Sequence, residues 1–223
     1  MGKFLTELDE ILSSEKVVDK FYKKYRTDDN FKHWLIDVLP EVDKCERQQQ
    51  NNPWHKYNVL GHILHSVESI NRLTVGLPEE DRKMLRYVML FHDIGKPDTH
   101  IVRRKNGEMI DSFFNHNEKS AEIALRALPK LGFDAKQVEV MVKLIFKHDI
   151  FMFIKTFESE NRYWRVLNQQ LIYEEAADLA KVGDGEKLLK YLVLIGRADN
   201  LSQNEKMTGE SLAMLDQFEE LMK

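Results

Sequence analysis

Four separated stretches of this chain place an imidazole or a carboxylate inside an otherwise apolar run. His62 sits in "NVLGHILHSVE", His92 and Asp93 follow "RYVMLF", His148 follows "VKLIF", and Asp199 interrupts "YLVLIGRADNL". A buried imidazole without a partner is unfavourable, and a lone buried carboxylate needs a cation or several donors. Side chains of this kind on four helical segments point to convergence on one cation. Imidazole nitrogen with carboxylate oxygen and no thiolate suits Zn, Fe, Mn, Co or Ni better than Ca.

The chain holds two His-Asp pairs, in "FHDIGKP" and in "FKHDIF". Neighbours on a helix are about 100° apart, so His92 and Asp93 grip one ion only at a helix end. Gly95 supplies that end, since glycine is favoured just past a helix. Lys96 follows, with an ammonium expected to be free to meet a phosphate. The second pair has neither a glycine turn nor a lysine, so only His148 is assigned to the site and Asp149 reads as an ordinary surface acid. His55 and His65 stand before and one turn after His62 and are candidates for substrate contact or support. His33 and His100 read as surface residues. Arg103 and Arg104 read as a solvated edge, with contact to a nucleotide phosphate as the alternative, and "IFMFIKTF" as core or a lid.

The elements that must position these residues are helical almost throughout. Apolar residues recur at 3–4 spacing over 3–25 and again over 30–46, where Pro40 marks a break. "QQQNNP" is a loop, and helices are expected over 55–75 and 79–94. One place reads as strand: Asn106-Gly107, centred in "THIVRRKNGEMIDSFF", favours a type I′ turn and a short hairpin around 101–112. Asn115 and Glu118 have capping-box spacing, which places His116 in a first helical turn. A helix capped by Asp134 runs to about Ile150, and two or three more follow, over 186–202 and 207–222 among them. The expected fold is all-α, with an N-terminal helical annex at 1–46 and a metal-binding domain at 47–223 that form one continuous unit.

Bulk properties narrow the rest. With 223 residues and 43% hydrophobic content the chain can build a real core, and a net charge of −4 does not point to a protein that coats nucleic acid. RNA stays open as a partner without support from charge. The single cysteine, Cys45, and the lack of a signal-like or membrane-length apolar run lead to an expectation of a cytoplasmic protein with no membrane partner.

The order His62, His92-Asp93, Asp199 resembles the HD phosphohydrolase superfamily, whose pattern is His…His-Asp…Asp. The strings "LPEVDKCERQQQNNPWHKYNVLGHILHSVE", "FHDIGKP" and "NHNEKSAEIALRALPKLGF" are more specifically similar to the HD domain attached to some bacterial CCA-adding tRNA nucleotidyltransferases, over roughly residues 39–150. The resemblance implies an all-helical domain that hydrolyses phosphate esters with one or two divalent ions (Mn, Fe, Co, Ni, Zn or Mg). It implies His62, His92, Asp93 and Asp199 as core ligands, His116 and His148 as the extra histidines of two-metal members, and Asp93 as the bridge and catalytic carboxylate beside Lys96. Where the related domains read Gly-His-Glu, this chain has Asn115, with Asn117 between His116 and Glu118. No Asp-x-Asp precedes the region, so nucleotide addition is not implied. The expected substrate is a small phosphorylated molecule, a nucleotide or a 2′,3′-cyclic phosphate. The alternatives are a triphosphohydrolase or signalling-nucleotide hydrolase, and a non-catalytic metal- and RNA- or nucleotide-binding module.

Overall fold

Asn58 shows how local chemistry starts the central helix: its side chain accepts a hydrogen bond from the Gly61 amide at 2.7 Å. In the computed structural model, which describes residues 2–156 and 164–223, the helix capped this way, α5 (Val59–Leu73), is buried on nearly every face. Before it run α1 (Gly2–Leu12), α2 (Val17–Thr27), α3 (Asp29–Val38) and α4 (Glu41–Arg47). Ser13–Lys16 interrupts the first apolar pattern, and Pro40 separates α3 from α4 as its missing amide requires. After it come α6 (Glu79–Phe91), a 3-10 turn (Lys96–Thr99), and the hairpin β1 (His100–Lys105) and β2 (Glu108–Phe113).

The hairpin is antiparallel, with Lys105 opposite Glu108 across a two-residue turn. Asn106 and Gly107 both take positive φ, 51° and 88°, as a type I′ turn demands. Then follow α7 (His116–Ala127), a 3-10 turn (Leu128–Leu131), α8 (Ala135–Lys147), a second 3-10 segment (His148–Phe153), and α9 (Gln169–Leu179), α10 (Gly185–Leu201) and α11 (Gly209–Leu221). A two-residue parallel pair, β3 (Ile154–Lys155) with β4 (Arg165–Val166), was not anticipated.

Asp134 and Gln137 form a reciprocal capping box at the start of α8. The box expected at Asn115 does not form. That residue sits at φ 58° in the left-handed region, so its side chain caps nothing, yet His116 still opens α7. Of "IFMFIKTF", Phe151 and Ile154 are core and Met152 and Phe153 are exposed, while Phe157 lies outside the described residues.

A single apolar cluster runs from Leu8 in α1 through Phe21, Ile63, Val88, Met141 and Leu192 to Phe218 in α11. The first four helices therefore pack on the same core as the rest. α5 lies against α2, α4, α6 and α10, and α7 pairs with α8. Among the described residues no helix is long and apolar enough to cross a membrane.

Candidate metal centre

Six residues reach one place from five points of the fold. His62 comes from α5, His92 and Asp93 from the end of α6, His116 from the first residue of α7, His148 from the end of α8, and Asp199 from the last turn of α10. Each histidine is oriented by its outer nitrogen. His92 Nδ1 donates to the Met89 carbonyl, His116 Nδ1 to Phe113 and His148 Nδ1 to Ile145, each at 2.7 Å, and His62 Nδ1 to Ser202 at 3.3 Å. A carbonyl only accepts, so each Nδ1 carries the proton and each Nε2 is left to face inward.

The inward atoms form two halves. In one, His62 Nε2 lies 3.3 Å from His92 Nε2, 2.9 Å from Asp199 Oδ1 and 3.1 Å from Asp93 Oδ2. In the other, His116 Nε2 lies 3.2 Å from His148 Nε2 and 3.1 Å from Asp93 Oδ1. Asp93 thus gives one oxygen to each half. An ion held about 2.0–2.2 Å from its donors sets neighbouring donors roughly 3–3.5 Å apart, which is the spacing here. Paired Nε2 atoms this close need a cation, whether a proton or a metal ion. Asp93 Oδ2 is a further sign: it is buried and no donor is aligned to hydrogen-bond it, although Lys96 Nζ lies 2.6 Å away. The donor set therefore fits a transition-metal ion.

Without metal, protons fill that role. Burial opposes charge on His62, but Asp199 and Asp93 outweigh it and raise its pKa to about 9. Burial likewise opposes His148, and Asp149 with Asp93 raises it to about 9. Burial holds His92 below the usual histidine range. Burial also opposes ionisation of Asp93, yet Lys96 and the surrounding imidazoles keep it well below the ordinary carboxylate range. Asp199 is held down in the same way, against burial, by His62 and His92.

Lys96 departs from expectation. Its head is not free for phosphate but buried, with Asp93 Oδ2 at 2.6 Å, Gln50 Oε1 at 3.0 Å and His55 Nε2 at 3.2 Å. Two of its donors bond Gln50 and His55, and its charge lies against Asp93. His55 is neutral, because Asn52 Oδ1 accepts its Nδ1–H and burial with Lys96 lowers its pKa to about 2. His55 therefore supports the site through Lys96 and through its ring, which packs edge-to-face on His62 at 5.2 Å.

The remaining expectations divide. His65 stacks on Tyr57 at 4.2 Å and faces Glu68 at 3.5 Å, so it packs beside the site instead of entering it. Arg103 is pinned on the hairpin by Ser112 Oγ at 2.7 Å and lies over Phe114, and Arg104 is exposed. His100 is no loose surface residue, since it bonds Asp111 Oδ1 at 2.8 Å. Asp149 is not an ordinary surface acid either: its Oδ2 lies 3.1 Å from His116 Nε2. Gly95 has φ −82°, so a left-handed helix cap is not its reason. A Cβ there would meet Ser120 N at 2.6 Å and the His116 carbonyl at 2.8 Å, so glycine lets the Asp93 turn press against α7.

An all-helical domain that gathers four imidazoles around a shared aspartate defines a metal-binding class. The HD domain family model matches residues 59–204, which include all six residues, and the chain belongs to that family. It is similar to an A-adding tRNA nucleotidyltransferase of Deinococcus radiodurans, 32% identical over 113 residues, covering 49% of this chain and 24% of that protein. It is also similar to a bifunctional uridylyltransferase/uridylyl-removing enzyme of Gluconobacter oxydans, 23% identical over 183 residues, covering 76% of this chain and 17% of that protein. The chain thus spans about a quarter or less of the length of these relatives.

Proposed function

We propose that this chain is a metal-dependent phosphohydrolase that cleaves phosphomonoester or phosphodiester bonds of nucleotides or 2′,3′-cyclic phosphates. The observation that carries this reading is the convergence of four inward Nε2 atoms on the two oxygens of Asp93. His62, His92, Asp93 and Asp199 would hold one divalent ion, and Asp93, His116 and His148 would contribute to a second. When bound, such an ion supplies Lewis acidity toward a phosphoryl oxygen and a water acidic enough to ionise near neutral pH.

The chain's own residues do the rest. The backbone carbonyls of Met89, Phe113 and Ile145 fix the rings, so no donor reorganises during turnover. Lys96 balances Asp93 and keeps its two oxygens divided between the halves. Asp199, with a side chain 16% exposed, is the outermost of the first four ligands. Arg103 and Arg104 on the hairpin are the proposed phosphate contacts.

Elemental analysis of the purified protein should find a transition metal. With Mn, Co, Ni or Mg it should turn over bis-p-nitrophenyl phosphate, p-nitrophenyl phosphate or 2′,3′-cyclic nucleotides. Asp93→Ala should abolish both metal and turnover. Turnover retained in that variant, or no turnover of any of these compounds with any of these metals, would sink the proposal.

A further inference from the structure

Asp149 belongs to the second His-Asp pair, and the two pairs occupy the same local position. His92 is the cap residue of α6 at φ −55°, ψ −40°, and His148 is the cap residue of α8 at φ −57°, ψ −29°. Each donates Nδ1–H to the carbonyl three residues earlier, in the last turn of its helix, at 2.7 Å. Each is followed by an aspartate that turns back toward the imidazoles. Asp149 Oδ2 lies 3.1 Å from His116 Nε2, and its Oδ1 lies 3.4 Å from His148 Nε2. Asp93 Oδ1 lies 3.1 Å from the same His116 nitrogen, so the two carboxylates flank it.

The first half offers the model for what this means. There Asp199 Oδ1 stands 2.9 Å from His62 Nε2 and 3.7 Å from His92 Nε2, with a side chain 16% exposed. The Asp149 side chain is exposed to the same 16%. Each half therefore has two ring nitrogens fixed in one tautomer, one oxygen of Asp93, and one outer carboxylate reachable from solvent. We infer that Asp149 is the outer carboxylate ligand of a second divalent-cation site, the counterpart of Asp199. This rests on the metal-binding reading above and extends it to a residue outside the family's His…His-Asp…Asp pattern.

The test reads ion count, not turnover. Metal-free protein is titrated with Co2+, following ligand-field absorption and counting bound ions by equilibrium dialysis. Wild type should bind two ions and Asp149→Asn one, with circular dichroism confirming the fold. Asp199→Asn should also bind one, with a different cobalt spectrum, because the opposite half is emptied. Asp149→Glu, which keeps the carboxylate, should retain the second ion more weakly than wild type. Two ions bound by Asp149→Asn with wild-type affinity would overturn the inference. So would one ion bound by both wild type and Asp149→Asn, which leaves a one-metal hydrolase intact. No ion in wild type would remove both this inference and the function it rests on.

Discussion

Gly95→Ala tests whether the contact between the Asp93 turn and α7 sets the distance between the two halves of the centre. The added Cβ would lie 2.6 Å from Ser120 N, 2.8 Å from the His116 carbonyl and 2.8 Å from Lys119 Cβ. Two of these three atoms are backbone, so a rotamer change cannot relieve the clash. Ordinary contact needs about 3.5 Å, so the turn and α7 must part by about 0.9 Å. Ligand positions at a metal site tolerate only about 0.2 Å. The affected pair is Asp93 and His116, now 3.1 Å apart. His62, His92 and Asp199 sit on α5, α6 and α10, and none of them is among the atoms the added Cβ would meet.

Overpacking of this kind costs about 1–3 kcal/mol. For a chain of this length each kcal/mol lowers Tm by roughly 2–4 °C. The variant should therefore melt several degrees lower even without metal, and should bind the second ion at least about tenfold more weakly. A thermal melt of metal-free protein and a Co2+ titration measure the two effects separately. An unchanged Tm together with two wild-type affinities would refute the reasoning, because it would mean the turn and α7 are not in rigid contact.

Lys96→Met should destabilise the metal-free protein by about 3–5 kcal/mol, since it strips the cation from a buried carboxylate, and saturating metal should narrow the loss. Equal losses with and without metal, by denaturant titration, would count against Lys96 as the partner of Asp93. Metal binding at pH 7 should release protons and tighten as pH rises toward 9, because His62 and His148 both titrate at about 9 without metal. Calorimetry in two buffers of different ionisation enthalpy would show this, and identical heats would contradict it. Away from the centre, burial opposes charge on Asp178, yet Lys143, Lys147 and Lys181 hold its pKa below the usual range. Its stabilising contribution is thus present above the unfolded value of about 3.9 and lost as pH falls through the lower folded value. Asp178→Asn should lower stability at pH 7 and flatten the acid limb of the stability curve; an unchanged curve would refute the pairing.

What the sequence makes legible follows from whether local chemistry decides the outcome. Asn106-Gly107 announces its turn because few other residues take positive φ twice in succession. His62, His92, His148 and Asp199 stand out because apolar helices bury what they carry, and buried polar groups must find each other. Lys96 is the opposite case. A lysine after a helix end looks solvated, and its burial is decided by Gln50 and His55 in a loop more than forty residues earlier. Asp149 is not legible because nothing in "FKHDIF" shows that the chain continues as a 3-10 turn, which swings the carboxylate toward His116 instead of into solvent. The Asn115 box failed because spacing alone does not reveal a left-handed backbone.

The burial of Lys96 also constrains what meets the substrate. To reach a phosphate it would have to leave Asp93, and separating a buried pair of this kind costs about 3–5 kcal/mol. The buried Lys96 ammonium is therefore spent on the ligand set. Asp93, Asp149 and Asp199 carry three negative charges against that one positive charge. A single divalent ion would leave the cluster neutral, with no net attraction for a phosphate. Two would leave it positive by two charges, the match for a phosphomonoester dianion. On that electrostatic ground, activity on monoesters requires the second half of the centre to be filled, whereas a singly charged diester makes the weaker demand. With one carboxylate removed and one ion bound, Asp149→Asn leaves the cluster positive by one charge instead of two, so its ratio of monoester to diester turnover should fall relative to wild type, and a ratio that stays constant would mean that the charge of the second half does not select the substrate.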